Sequence, residues 1–385
     1  MSFNQVAKYL RGYLESVGNQ GGIIAGLTGL SIKGSTKIAG ICCDYSGNIY
    51  VTDYEEHIVL KITESGVITV IAGVSGQAGN NGNNTVTATE ARFRRPVGIT
   101  CAKNGDLYVA DSGNNQIRRI SNNKVSLVAG NIDGSSGTDN GVGSNAQFNR
   151  PHGIAIDNSG IIYVADKNNH SVRKINGGVV TTLAGLNGTS GDYPEWTDMT
   201  TAQGVLGANA RFDTPFDVCV NANGYVFVMD SGNHVIKRID PAGNVRVFSG
   251  SGVDGTSLGT SPYFSRTCEY RDLRFCDVTK SEEIYLIDYE ENMPARLLTV
   301  NREGRPFVVV DFDNLNGSST SSEGYWGEYV SAVVCNPAGH IIVAESIFVT
   351  DKYYSSSSSS SSSTEAMSTS SESSSSESSL SSNPV

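Results

Sequence analysis

One short motif, returning every 55 to 64 residues, constrains this chain more than anything else in it. Tyr50-Val51-Thr52-Asp53 recurs as Tyr108-Val109-Ala110-Asp111, Tyr163-Val164-Ala165-Asp166 and Phe227-Val228-Met229-Asp230. Tyr285-Leu286-Ile287-Asp288 and Ile342-Val343-Ala344-Glu345 complete the series. Six copies at such a period predict a propeller or solenoid, not separate domains. Within one unit the periodicity is that of strands. Residues 153–157, 161–165, 171–175 and 179–184 are short apolar runs, divided by Asn158-Ser159-Gly160, Lys167-Asn168-Asn169 and Gly177-Gly178. Runs of this length between turn residues read as antiparallel strands, and four per repeat make a propeller blade. The composition agrees. With 43 Gly and only 17% charged residues among 385, the chain suits many strands joined by glycine turns, not a helical bundle.

The residues around the motif resemble a known family. Ala-Arg/Gln-Phe-x-x-Pro occurs at 91–96, 146–151 and 210–215. An apolar strand follows, then the Tyr-Val-Ala-Asp motif, Asn-His or Asn-Asn, a Val/Ile-Arg-Lys-Ile-type strand and Thr-Leu-Ala-Gly. This is similar to the NHL repeat of six-bladed β-propellers, over roughly residues 20–350. The resemblance implies an all-β, six-bladed propeller of four-stranded antiparallel blades. The sixth unit lacks a Leu-Ala-Gly strand, whereas Gly22-Ile23-Ile24-Ala25-Gly26 has that pattern. An N-terminal strand is therefore expected to complete the last blade and close the ring, removing an open sheet edge. Long Gly/Ser/Asn-rich stretches at 73–90, 130–145, 185–209, 250–270 and 311–328 join the blades. Propeller topology puts these on the same face as the second-to-third-strand turns.

The recurring polar residues read as structure. His57, His170 and His234 each stand four residues after the repeat's acid, where other repeats have Asn115 and Asn292. A residue repeating in this way is a turn element bonding locally. The acids Asp53, Asp111, Asp166, Asp230, Asp288 and Glu345 recur, as does the basic set Lys61, Arg118, Arg119, Arg173, Lys174, Lys237 and Arg238, and recurring opposite charges on adjacent strands read as structural pairing and turn fixing. Cys42, Cys43, Cys101, Cys219 and Cys335 fall on the innermost strand, as small buried residues. NHL-like amidating lyases use a histidine cluster for zinc. After the turn histidines, only His152 and His340 remain here, too few for a three-histidine site. A calcium-loop likeness at 312–323 has Phe312 where a carboxylate is required. No catalytic set, metal site or cofactor is expected. His152 stands out, because Val97 and Phe216 hold its place in neighbouring repeats. The aromatics Tyr193, Trp196, Tyr263, Phe264, Tyr325, Trp326 and Tyr329 gather in three consecutive inter-blade loops. They are the other candidate ligand-binding residues, for protein or carbohydrate.

Charge and termini frame the rest. The net charge is −11, and only Glu365, Glu372 and Glu377 of the acids lie in residues 355–385. That balance argues against nucleic acid as a partner. No apolar run of membrane-spanning length and no signal-peptide pattern is visible, so cytoplasmic synthesis without membrane insertion is expected. Residues 1–19 read as an amphipathic helix, with Phe3, Val6, Leu10, Tyr13 and Val17 on one stripe. Residues 20–354 read as the propeller, and 355–385 as a Ser-rich tail unable to bury a core. A helix at one end and a tether at the other suit assembly with copies of the chain or another subunit, in a virion or surface filament. The expected function is a non-enzymatic interaction or structural protein displaying a loop-rich face. The alternative is a propeller hydrolase or lyase with its site at the central channel, and RNA binding ranks below both.

Overall fold

In the computed structural model the described residues are 25–26, 37–63, 67–82, 84–192, 204–258, 267–290, 293–311, 330–335 and 341–345. The chain is an all-β propeller. Blade 1 runs through Ile38–Cys43, Ile49–Asp53, Ile58–Ile62 and Ile68–Ala72, each strand antiparallel to the next. Blade 2 (Pro96–Cys101, Leu107–Asp111, Gln116–Ser121, Lys124–Ala129) repeats this order. So does blade 3 (Pro151–Ile156, Ile162–Asp166, Ser171–Asn176, Val179–Ala184). Blade 4 (Pro215–Val220, Val226–Asp230, Val235–Ile239, Asn244–Ser249) and blade 5 (Asp272–Val278, Ile284–Glu290, Met293–Val300, Pro306–Asp311) follow.

The expectation of six four-stranded blades is corrected here: five are present among the described residues. The sixth repeat supplies two antiparallel strands, Val330–Cys335 and Ile341–Glu345. Its expected third strand lies outside the described residues. The N-terminal segment does join this sheet, but differently from expectation. Ala25–Gly26 runs parallel to Ile341–Glu345, pairing Ala25 with Ile342 and Gly26 with Val343. It hydrogen-bonds to the second strand of the sheet, so it is not the antiparallel fourth strand. The first strands of the repeats form the innermost layer, each beside the next, with Val330–Cys335 lying beside Ile38–Cys43. The expected helix within 1–19 and the Ser-rich tail fall outside the described residues. Helical turns among the described residues are short 3-10 pieces.

The motif residues build the space between blades. Phe93, Phe148 and Phe212, from the three Ala-x-Phe-x-x-Pro segments, are completely buried. Each joins apolar residues of two consecutive blades, as Phe93 does with Val59 and Ala72 of blade 1 and Val109 and Val125 of blade 2. A further device was not anticipated. Val86–Thr87, Gly141–Val142 and Val205–Leu206 pair along the outermost strands of blades 2, 3 and 4. These three inter-blade loops thereby cover part of an exposed edge that would otherwise template aggregation.

Candidate functional site: the central channel and its mouth

The recurring acid closes each blade on itself. Asp166 sits completely buried at the end of its strand. Its Oδ1 accepts the Asn149 N–H at 2.8 Å, and its Oδ2 accepts from Asn169 Nδ2 and Arg173 Nη1, both at 2.8 Å. The Arg173 guanidinium also lies 5.3 Å from the centre of the Phe148 ring. Blade 4 repeats the arrangement with Lys237, 3.0 Å from Asp230 and 5.3 Å from the Phe212 ring. Blade 5 pairs Arg296 with Asp288. Burial lifts Asp166 to about 6 and Asp111 to about 7, against the pull of their donors and cations. These charges are consumed by structure, as their repetition implies.

The turn histidines are structural too, and their reach extends beyond their own turn. His57 Nδ1 accepts the Arg95 N–H of the following blade at 3.1 Å, and His170 Nδ1 accepts that of Thr214 at 3.1 Å. In blade 2, Asn115 Oδ1 takes the same part with Arg150 N–H at 2.7 Å. His57, Asn115, His170 and His234 all have left-handed backbones, which turns their side chains out of the blade that carries them. Each is a latch onto its successor. The repeat spacing identified the turn, whereas only the ring geometry reveals its partner.

The innermost strands enclose a channel whose cavity is about 180 Å³. Cys42, Cys43, Cys101, Cys219, Cys276 and Cys335 line it, with Asp217 and Asp277. Burial holds the thiols protonated, pushing Cys43 up to about 12 and Cys101 to about 11. Among the described residues no group of three or more histidines, cysteines or carboxylates is arranged to hold a metal ion. The two aspartates are the residues that sequence reasoning missed. Burial raises Asp217 to about 7 and Asp277 to about 6. Asp217 Oδ2 accepts the Cys276 N–H of blade 5 at 2.9 Å, and Asp277 Oδ2 accepts the Cys335 N–H at 2.7 Å. A signal existed. Asp217 occupies the position of Gly40, Gly98 and Gly153, and Asp277 that of Cys42, Thr100, Ala155 and Cys219.

His152 lies at the channel mouth on the face that bears the inter-blade loops. Its ring centre is 3.9 Å from that of Phe216, and Phe216 meets Phe275 edge-on at 5.4 Å. Lys167 and Arg274 stand over Phe216 at 4.6 and 5.2 Å. His152 Nδ1 is shielded from solvent without a hydrogen-bond partner. Burial, then Lys167 and Arg274, hold this imidazole well below its usual range, so it is neutral near pH 7. The unfolded chain binds a proton below about pH 6.5 that the folded chain refuses, so His152 subtracts stability as pH falls through that value. The raised aspartates act in the opposite sense, which makes the comparison of variants decisive. His152→Phe should lose less stability on acidification than the wild type, by at most about 1.4 kcal/mol per pH unit. Urea midpoints from about pH 7 to about pH 5 measure this, and parallel slopes would show that His152 titrates alike in both states. The other candidates, Tyr193, Trp196, Tyr263, Phe264, Tyr325, Trp326 and Tyr329, lie outside the described residues.

The family model "NHL repeat" matches residues 93–120 and 148–175, each running from the buried Phe through the third strand. Human NHL repeat-containing protein 2 is 31% identical over 175 residues, covering 41% of this chain and 22% of that protein. Mouse teneurin-3 is 26% identical over 289 residues, covering 70% of this chain and 10% of its own length. The chain spans about a quarter or less of the curated relatives it matches. Among solved structures, a gluconolactonase from Xanthomonas campestris aligns with a TM-score of 0.51 at 12% identity, covering 81% of this chain and 84% of that one. Virginiamycin B lyase from Staphylococcus aureus aligns with a TM-score of 0.47 at 12% identity, covering 81% and 79%. Matched repeats and blade geometry agree: this chain is a β-propeller that carries NHL repeats at residues 93–120 and 148–175.

Proposed function

We propose that this propeller is a non-enzymatic interaction protein that engages a partner protein through its loop-bearing face. One observation carries the reading: the channel carboxylates accept backbone N–H groups of the next repeat, so the groups best suited to chemistry are occupied in joining blades. Arg150 and Lys167, free of ion pairs among the described residues, stand beside His152 at the mouth on the loop-bearing face. Attachment to a larger assembly through the terminal segments, and a glycan as the alternative occupant of the loop aromatics, belong to the same proposal.

Amine cross-linking in extract of the source cells tests it. Cross-links to other proteins should fall on the loop-bearing face, at Lys167, and spare Lys103 and Lys124 in turns of the opposite face. The reverse pattern would refute the reading.

A second reading has one observation in its favour. Asp217, at about 7, titrates where a general acid or base would work. It predicts that the purified protein opens lactones or esters and that Asp217→Asn abolishes turnover while the thermal melt still shows a folded ring. Such activity, or zinc or calcium retained in stoichiometric amount through gel filtration, would displace the interaction reading.

A further inference from the structure

The chain as a whole is strongly acidic, at −11, yet one sector of the channel mouth is not. Arg150, Lys167 and Arg274 converge there, each close enough to act on the His152 imidazole. They arrive from different places: Arg150 precedes the inner strand of blade 3, Lys167 begins a turn of the same blade, and Arg274 lies on the inner strand of blade 5. Asp272 is the nearby carboxylate, and it is already engaged by Arg274 at 2.8 Å. Among the described residues neither Arg150 nor Lys167 has an acidic partner within ion-pair distance. Arg150 is exposed, and Lys167 and Arg274 are half-buried against the Phe216 ring. Three cations around one carboxylate leave an excess of positive charge whose repulsion costs free energy, and an incoming anion relieves it. The buried His152 imidazole lies beneath the same cluster and, being neutral, offsets none of its charge.

We infer that this sector is a docking surface for an acidic segment of a partner protein, with Arg150 and Lys167 receiving its carboxylates beside the Arg274–Asp272 pair. The inference rests on the interaction reading above and names the chemistry of the partner. Two features favour a peptide over nucleic acid. The face of Phe216 is covered by Lys167 and Arg274, which leaves no room there for a base to stack. The acidic body also repels a long polyanion, whereas a short run of carboxylates needs only the local field.

Fluorescein-labelled oligoglutamate is the probe, measured by anisotropy against the full chain at rising NaCl. Binding should saturate and weaken with salt. Arg150→Glu combined with Lys167→Glu should weaken it by about tenfold or more. Lys103→Glu combined with Lys124→Glu changes the net charge equally on the opposite face and should leave binding near wild type. Arg150→Glu alone, at an exposed side chain, should move affinity in the same direction with an unchanged melt. Equal losses in the two double variants would overturn the inference, as would tighter binding of oligouridylate at the same sector. If wild type fails to bind oligoglutamate while cross-links still map to the loop-bearing face, the acidic partner falls and the interaction reading stands. Cross-links confined to the opposite face would sink the interaction reading whatever the peptide does.

Discussion

Gly153→Ala should destabilise the propeller by at least about 3 kcal/mol, at the upper end for a single added methyl group. A Cβ at Gly153 would lie 1.9 Å from Asp217 Oδ1 and 2.4 Å from Asp217 Cα. The second contact matters more than the first, because a carboxylate can rotate and a backbone cannot. The inner strands of blades 3 and 4 would have to separate there, and Asp217 holds blade 5 from the far side through the Cys276 N–H. Displacing Asp217 therefore loosens two seams at once. Gly40 and Gly98 face the same constraint, with a Cβ 2.2 Å from Val97 O and 2.3 Å from His152 O. Urea denaturation of Gly153→Ala beside Gly160→Ala separates close approach from generic glycine effects. Gly160 has open space around its Cβ position and a φ of +83°, so its alanine variant reports backbone strain alone. Similar losses in the two variants would refute the packing argument.

Arg173→Met should cost about 3–5 kcal/mol, because it leaves Asp166 as a buried charge without its cation. Both side chains are 0% exposed, and the guanidinium also donates to the Gln147 carbonyl at 2.9 Å and to Asn140 Oδ1 at 2.8 Å. The loss has a pH signature. Asp166 already has a raised folded-state pKa, near 6, and removing Arg173 raises it further. A carboxyl with a raised folded pKa favours folding most below its unfolded value and loses that contribution as pH rises through the folded one. The variant should therefore sit closer to wild type at about pH 5 than at about pH 8. Asp166→Asn combined with Arg173→Met should recover part of the loss at the higher pH. Equal penalties at both pH values would mean that packing, not charge, dominates the site.

These residues also show where the sequence could be read and where it could not. The Tyr-Val-Ala-Asp repeat exposed the blades because strand period and turn chemistry are local properties. Charge pairing between the recurring acids and the basic residues of the next strand was visible for the same reason, although Arg173 and Lys174 were equal candidates for Asp166 until the structure chose Arg173. The latches were not. The partner of His170 is Thr214, 44 residues away, and nothing within one repeat indicates which neighbour a turn will grip. Asp217 and Asp277 escape a reading by recurrence, because each of them breaks one. The sixth sheet illustrates a further limit. Gly22–Gly26 was matched to a fourth strand by composition, but a two-residue pairing has no side-chain alternation to fix its direction, and Ala25–Gly26 runs parallel. His152 was singled out as the exception at its repeat position, and it does sit among the cations of the mouth.

The latches have a consequence for how the ring holds together under load. Each of the four described turn residues grips the blade that follows, so from blade 1 to blade 5 the bonds run head to tail like links in a bracelet. Two consecutive blades cut from the ring would carry one filled grip, one empty hand and one N–H left waiting. Such a fragment is stickier than a finished sheet, and its missing stability is stored in the joints. The single blade is therefore a poor unit of folding here. The unit is the joint, and a blade without neighbours has little reason to persist.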